Sequence, residues 1–398
     1  LRSSRKPGSK EWKQFVKRFF DFLFNMEDFN LIFTFNNYIA RSSMDYINQW
    51  EVEYLGLYPS QMKRSIYNRQ VQLNSIQNDF WMKMSYDSDF MLKELQEMQG
   101  DPWMKRATEL YRKTLDYKFT QKIKLLLTRN DYMVQPDQTF KQVEVNTASV
   151  GWFTNSDLYA QAMKEISVKY GDDYSMEPNG NIEKMTEAVL KTWESYGNPK
   201  AIIVVVAPTN RIAMDEFFFA RKISEAGVTY QRYTVEQLDA LLERDESTGK
   251  LFVLGKEVAF VYYRYAYTAR QYDECLWRVR EKIECSAAIK CPDISLHLVG
   301  AKLFQYVTAK EATWTRFGFS KEIYEEVKGT YCDMKKFEDD FGCSKDRMRA
   351  FIEERGPALA AEQEQDVIAV PLLLDELHER SGVLLVAVAL GDHLRDED

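Results

Sequence analysis

Between residues 201 and 264 the chain changes its apolar period several times in quick succession. Ala201-Ile-Ile-Val-Val-Val-Ala207 is apolar without a break, which predicts a strand covered on both faces. It follows Ile182–Tyr196, whose apolar positions recur at helical spacing and which stops at Gly197-Asn198-Pro199. Beyond the apolar run, the pattern predicts a helix over about Asp215–Ala226 closed by Gly227 and a strand over Val228–Thr234. A helix over Val235–Arg244 follows, then two strands about Leu254-Gly255, the second ending in Ala259–Arg264. Strands and helices alternating through such short links predict an α/β layered unit.

On the N-terminal side, basic Leu1–Lys10 is expected to be disordered. From Glu11 to about Gln49, Trp12, Phe15, Phe19 and Phe22 recur at helical spacing and predict a helix with a buried face. A second helical region runs from about Ile66 to Tyr117, broken where Pro102 follows Gly100-Asp101. A strand is expected near Lys122–Leu127, then a turn at Arg129, then a strand in which Val143 and Val145 alternate with Glu144 and Asn146. That alternation sets one carboxylate and one amide side by side on the open face of a sheet. Hard cations such as Mg²⁺ take oxygen ligands of this kind, usually one or two from protein and the rest from phosphate and water. Toward the C-terminus, Lys321–Lys328 and Cys343–Glu354 predict helices and Ser381–Leu390 a buried strand.

Bulk properties narrow the function. The net charge of −8 argues against a nucleic-acid binder, which would show a basic face. No run of about 18 apolar residues is present, so no membrane-spanning helix is expected. The cysteines number five and lack a CxxC pair, which fits neither a disulfide framework nor a zinc site. With three histidines in the chain and no HExxH spacing, neither a histidine metal centre nor a Ser-His-Asp triad is expected. Residue 1 is Leu, which reads as a processed or trimmed chain, so no targeting signal can be read from it.

Several short motifs, in order, resemble the eukaryotic-type glutathione synthetases. Leu57-Tyr-Pro-Ser60 resembles TLFPS, Arg129-Asn-Asp-Tyr-Met133 resembles RSDYM, and Gln142-Val-Glu-Val-Asn-Thr147 resembles QIEINT. Lys256–Arg264 and Arg270-Gln-Tyr272 resemble QEIAVVYFRDGYMPRQY; Lys290-Cys-Pro-Asp-Ile294 and Gly300-Ala-Lys302 resemble KCPDI…GTK. The resemblance implies an α/β (α+β) ATP-grasp-related, multi-domain architecture: N-terminal helices over 1–120, part of the core over 121–200, an inserted α/β substrate-binding unit over 201–294, and the rest of the core over 295–398. It also implies an ATP-dependent ligase, usually a homodimer, joining γ-glutamylcysteine or a related peptide to glycine or another amino-acid acceptor through an acyl phosphate. By the same resemblance Glu144 and Asn146 hold Mg²⁺, Glu144 and Lys302 face ATP, Arg129 and Arg264 act on the substrate's carboxylates and acyl phosphate, and Ser149 and Tyr267 line the peptide pocket.

The departures from the family pattern point elsewhere. The substrate loop has become Val145-Asn-Thr-Ala-Ser-Val-Gly-Trp-Phe-Thr-Asn-Ser-Asp157, in which Ser149 survives and Gly151 replaces a second serine. Tyr265 and Ala266 replace an acid and a glycine, and Asn210 and Glu216 stand where the family's Glu and Gln read the dipeptide. No counterpart of the family's glycine-rich phosphate loop is found, while Gly391-Asp-His-Leu-Arg395 resembles a remnant of GHLLRTK. Exchanging hydrogen-bond partners in a polar pocket changes specificity by orders of magnitude. The alternative expectation is therefore a diverged, secreted, glutathione synthetase-like effector without the standard activity, like those of plant-parasitic nematodes. An enzyme would be cytoplasmic and an effector secreted.

Overall fold

The computed structural model describes residues 62–336, except 136, 138, 149, 152, 155, 158–159, 161–163, 165–179 and 210–213, together with 347 and 385–388. The expected disorder over 1–10, the helix expected over 11–49, all but Arg347 of the helix expected over 343–354, Leu57–Ser60, and Gly391–Arg395 lie outside the described residues, as do Ser149 and Asn210. The chain divides into two compact units, Leu1–Ser60 with Thr154–Asn181, and Gln61–Phe153 with Ile182–Asp398. The second holds everything that follows.

It starts with α1 (Arg64–Tyr86), α2 (Ser88–Leu95) and α3 (Pro102–Asp116). Asp87 caps α2 by accepting from Phe90 N, and Asp101 caps α3 by accepting from Met104 N, with Pro102 in the first turn. These caps are the physical content of the break read at Gly100-Asp101-Pro102. The inner face of α1 carries Leu73, Phe80, Trp81 and Met84, and Phe80 stacks on Trp314 with ring centroids 4.0 Å apart.

The strand expected over Lys122–Leu127 does not form. That segment is tied to loops and helix ends instead of a neighbouring strand: Gln121 N donates to Ser286 O, and Lys124 Nζ donates to Ser85 O and Ser295 Oγ, each at 2.6 Å. With no ladder partner alongside, β-propensity alone does not make a strand.

Next comes an antiparallel hairpin of β1 (Arg129–Val134) and β2 (Phe140–Asn146). Asp131 pairs with Glu144 and Tyr132 with Gln142, so Val143 is an extra residue and β2 is bulged there. Inward positions run Phe140, Gln142, then Val145. The simple alternation expected from Val143 therefore fails at Val143, which is only half-buried, while Glu144 and Asn146 still share a face.

After α4 (Asn181–Glu194) the predicted layered unit appears. Its elements are β3 (Ile202–Val206), α5 (Met214–Glu225), β4 (Tyr230–Tyr233), α6 (Val235–Leu241), β5 (Leu242–Arg244), β6 (Leu251–Val253), β7 (Lys256–Tyr263), α7 (Glu274–Glu284) and β8 (Ile289–Cys291). The helix expected to reach Arg244 stops at Leu241, because Leu242–Arg244 pairs with Leu251–Val253. Asp245 closes that hairpin by accepting from Ser247 and Thr248.

The sheet runs β4-β3-β7-β6-β5, with β8 on β7. β3 is parallel to β4 and β7, and β7 is parallel to β8. Phe219 and Ile223 of α5 cover Ile203 and Val205 on one face, while Leu276, Val279 and Ile283 of α7 cover Val204, Val206 and Val261 on the other. Burial on both faces explains the uninterrupted apolar run at 201–207.

The chain returns to the helical core through α8 (Ile294–Val299), α9 (Lys302–Thr308), α10 (Glu311–Arg316) and α11 (Lys321–Lys328). β9 (Asp333–Lys336) pairs antiparallel with β10 (Leu385–Val388). The architecture is mixed α/β, and no helix among the described residues is long and apolar enough to cross a membrane.

Candidate active site

On the open face of the β1–β2 hairpin, residues two apart on each strand meet across the pair. Arg129 lies opposite Asn146, and Asp131 opposite Glu144. Arg129 grips Asp131 with two bonds, Nε to Oδ1 at 2.8 Å and Nη2 to Oδ2 at 3.0 Å. Asn146 Nδ2 lies between the carboxylates, donating to Asp131 Oδ2 at 3.1 Å and to Glu144 Oε1 at 3.2 Å. From α9, Lys302 Nζ donates to Glu144 Oε2 at 2.7 Å.

The helix carrying Lys302 is fixed to the same strand. Gln305 Nε2 donates to Val145 O at 3.0 Å, and Thr147 Oγ1 donates to Leu296 O at 2.6 Å. Gly300, at the corner between α8 and α9, leaves no room for more: a Cβ there would sit 2.4 Å from Thr147 Oγ1. Close approach of that corner to the strand end is what brings Lys302 within reach of Glu144.

Arg264 arrives from the sheet. β3 leads through α5 to β4 on one side and β7 leads through α7 to β8 on the other, so the connections diverge between the C-terminal ends of β3 and β7. In open α/β sheets ligands bind at that switch point. Arg264 stands there, its N–H donating to Val206 O at 2.8 Å, and its Nη1 reaches Val150 O at 3.0 Å in the loop that leaves β2. The sheet crest and the hairpin loop are thus joined through one arginine.

Electrostatics follow from these contacts. Burial tends to raise the Glu144 carboxyl, but the bonds from Lys302 and Asn146 outweigh it and hold it below the usual range. The bond to Asp131 keeps the Arg129 guanidinium above its ordinary value. Among the described residues no group of three or more His, Cys, Asp or Glu side chains is placed to cage a metal ion. The donor set instead suits a hard cation held by a few protein oxygens and completed by phosphate and water: the Glu144 carboxylate and the Asn146 amide on one strand face, with the charge of Glu144 now balanced by Lys302 and that of Asp131, across the hairpin, by Arg129.

Tyr267 hydroxyl donates to Tyr263 O at 3.0 Å, and Tyr267 N–H donates to Gln271 Oε1. Its carbonyl is met by His297 Nε2 at 3.1 Å. Since a carbonyl can only accept, His297 carries its proton on Nε2. Burial first, then the nearby Arg280 charge, pushes its pKa down to about 3. An unfolded histidine titrates near 6.5, so between about pH 3 and 6.5 the unfolded chain binds the extra proton and acid favours unfolding, by roughly 1.4 kcal/mol per pH unit for a fully shifted group. His297→Gln keeps a donor for Tyr267 O and cannot protonate. Urea unfolding at pH 7, 5.5 and 4.5 is expected to show a shallower loss of stability in the variant than in the wild type, and equal slopes would refute the assignment.

Glu216, where the dipeptide reader was expected, lies buried within the α5 side of the sheet. Tyr230 hydroxyl donates to its Oε1 at 2.7 Å, and Arg232 pairs with its Oε2. Burial, then the Glu216 charge, pushes the Tyr230 hydroxyl well above its usual pKa.

Comparison with known proteins then decides the lineage. The model of the eukaryotic glutathione synthase ATP-binding domain matches residues 29–358. The chain belongs to that family. It is 30% identical over 290 residues to the chloroplastic glutathione synthetase of Solanum lycopersicum, covering 70% of this chain and 53% of that protein. Against the glutathione synthetase of Homo sapiens it is 27% identical over 258 residues, covering 63% of this chain and 53% of that protein. The chain thus spans about half the length of these curated relatives. Among solved structures, a glutathione synthetase-like effector from Globodera pallida in its apo form superposes with a TM-score of 0.55 at 21% identity, covering 70% of this chain and 64% of that one, which shows a shared fold.

Of the residues the glutathione synthetase resemblance named, Arg129, Glu144, Asn146 and Lys302 share one hydrogen-bonded cluster, and Arg264 reaches the loop leaving the same hairpin. Sequence reasoning missed Asp131, which lay within a quoted motif. Its position two residues from Arg129 in a strand was the available signal. It also missed His297, Gln305 and the Val150 carbonyl, which only chain folding brings here.

Proposed function

We propose that this chain acts as a glutathione synthetase-type ATP-dependent ligase, joining γ-glutamylcysteine or a related γ-glutamyl peptide to glycine or another amino-acid acceptor. The observation that carries the reading is the charge-balanced Arg129–Asp131–Asn146–Glu144–Lys302 cluster beside the loop that Arg264 holds. In this reading a carboxylate oxygen of the peptide attacks the γ-phosphorus of ATP and the bond to the β-phosphate bridging oxygen breaks, releasing ADP. The acceptor amine then attacks the acyl carbon, loses a proton, and inorganic phosphate departs.

Arg129 and Arg264 would orient the carboxylate and the acyl phosphate, for which the planar guanidinium fork is suited. Lys302 would exchange Glu144 for a phosphate oxygen. Glu144 and the Asn146 amide oxygen would hold Mg²⁺, which when bound neutralises polyphosphate charge. Ser149 and Tyr267 would line the peptide side. Catalysis of this kind rests on positioning and charge stabilisation. The reading also takes residues 201–294 as the substrate-binding unit between core segments 121–200 and 295–398, and the chain as a homodimer.

Calorimetric titration with ATP, with and without Mg²⁺, followed by phosphate release across a panel of acceptors, tests it. Metal-dependent nucleotide binding is expected, and absence of binding at millimolar ATP would overturn the proposal. The alternative, a secreted effector without standard activity, is favoured by Glu216, whose carboxylate is committed to Tyr230 and Arg232 rather than presented to a ligand. Mg·ATP binding without turnover of γ-glutamylcysteine and glycine would select it.

A further inference from the structure

Asp131 and Glu144 are direct partners across an antiparallel pair. Like charges in that arrangement destabilise a hairpin, so the sequence bears a cost there. The contacts say what the cost serves. Both oxygens of Asp131 are used by Arg129, at 2.8 and 3.0 Å, and Oδ2 also accepts from Asn146 Nδ2 at 3.1 Å. One carboxylate therefore fixes two side chains at once. It sets the plane of a guanidinium that has a second edge to offer, and it holds the amide nitrogen of Asn146 toward the acids. With its nitrogen bonded to both acids, the Asn146 amide has its plane fixed, and its oxygen, which the carboxylates cannot engage as acceptors, is left for another partner.

We propose that Asp131 is the positioning residue of this site, aiming the Arg129 fork and presenting the Asn146 oxygen to a divalent cation. This rests on the metal-site reading above and adds a residue to which that reading gives no role. Partners one step removed from a metal typically control its affinity 10–100-fold by orienting the ligands. An ordinary surface ion pair would behave differently, since removing it costs a little stability and leaves metal binding alone.

The test uses the full chain and Mn²⁺ alone as probe, comparing wild type with Asp131→Asn and Asp131→Ala. Asp131→Asn keeps the shape and removes the charge facing Glu144. Its melting midpoint is expected to be unchanged or higher, while Mn²⁺ affinity by calorimetry or electron paramagnetic resonance falls about 10–100-fold. In ¹⁵N spectra without metal, the Arg129 Nε–H and the Asn146 amide signals are expected to shift in Asp131→Asn, with Arg129→Lys assigning the former. Wild-type Mn²⁺ affinity in both variants, or a lowered midpoint with unchanged affinity, would overturn the proposal. If the wild type itself takes no Mn²⁺, the metal-site reading falls and the presentation of Asn146 to a cation falls with it. Unmoved Arg129 and Asn146 signals would then show that Asp131 positions neither side chain.

Discussion

Arg280→Ala is expected to destabilise the fold by about 3–5 kcal/mol, the usual cost of stripping one partner from a buried ion pair. Arg280 lies wholly inside, on α7, with Nε 2.8 Å from Glu284 Oε1 and its guanidinium carbon 3.8 Å from the Tyr263 ring centroid. Its Nη2 donates to Pro292 O at 3.2 Å. Truncation would strip Glu284 of the stronger of the two cations acting on it, and burial already pushes that carboxyl upward against the pull of Arg280 and Lys290. The same change removes the support under Tyr263, the residue before Arg264, so the switch-point arginine is expected to lose order as well. Urea unfolding at pH 7 measures the first effect. The triple replacement Arg280→Met, Glu284→Leu and Lys290→Met separates charge from packing: it is expected to recover most of the loss, because Lys290 is buried against Glu284 as well and three apolar groups leave none of these charges orphaned. A triple variant as unstable as Arg280→Ala would show that stacking on Tyr263, not the buried charges, carries the energy.

Glu144→Gln is expected to weaken Mn²⁺ binding about a hundredfold or more, at or beyond the upper end for loss of an outer-shell partner. Glutamine keeps the shape of the side chain and an oxygen, but lacks the charge that draws Lys302 and, in the proposed site, would hold the cation. The same variant is expected to change stability by less than about 1 kcal/mol, since the Glu144–Lys302 pair is roughly one-third exposed. Removing the charge also relieves repulsion from Asp131. Calorimetry with Mn²⁺, then with ATP in its presence, reads the effect alongside a denaturation curve. A large stability loss with intact Mn²⁺ affinity would identify Glu144 as part of the scaffold alone.

Much of the layered unit was legible from pattern. The doubly covered β3, the helices on either side of it, and β7 ending beside Arg264 follow from periods of two and 3.6 and from turn residues such as Gly227. Failures occurred where another part of the chain had to supply a partner. Lys122–Leu127 has strand-like composition and no neighbour to pair with, while Leu242–Arg244 leaves the expected helix because Leu251–Val253 offers a ladder. The bulge at Val143 belongs to neither strand alone, being a mismatch between two registers.

The candidate site divides in the same way. That Glu144 and Asn146 share a strand face was fixed locally, because side chains two apart on a strand point the same way whatever surrounds them. Tertiary structure alone decided that Lys302, from a helix far along the chain, would hold Glu144, that Asp131 would face it across the hairpin, and that Arg264 would reach the Val150 carbonyl. It also decided that Glu216 would be committed to Arg232 and Tyr230 instead of facing a ligand. Local pattern is set by the geometry of a few consecutive residues. Which charges meet is set by how distant segments pack.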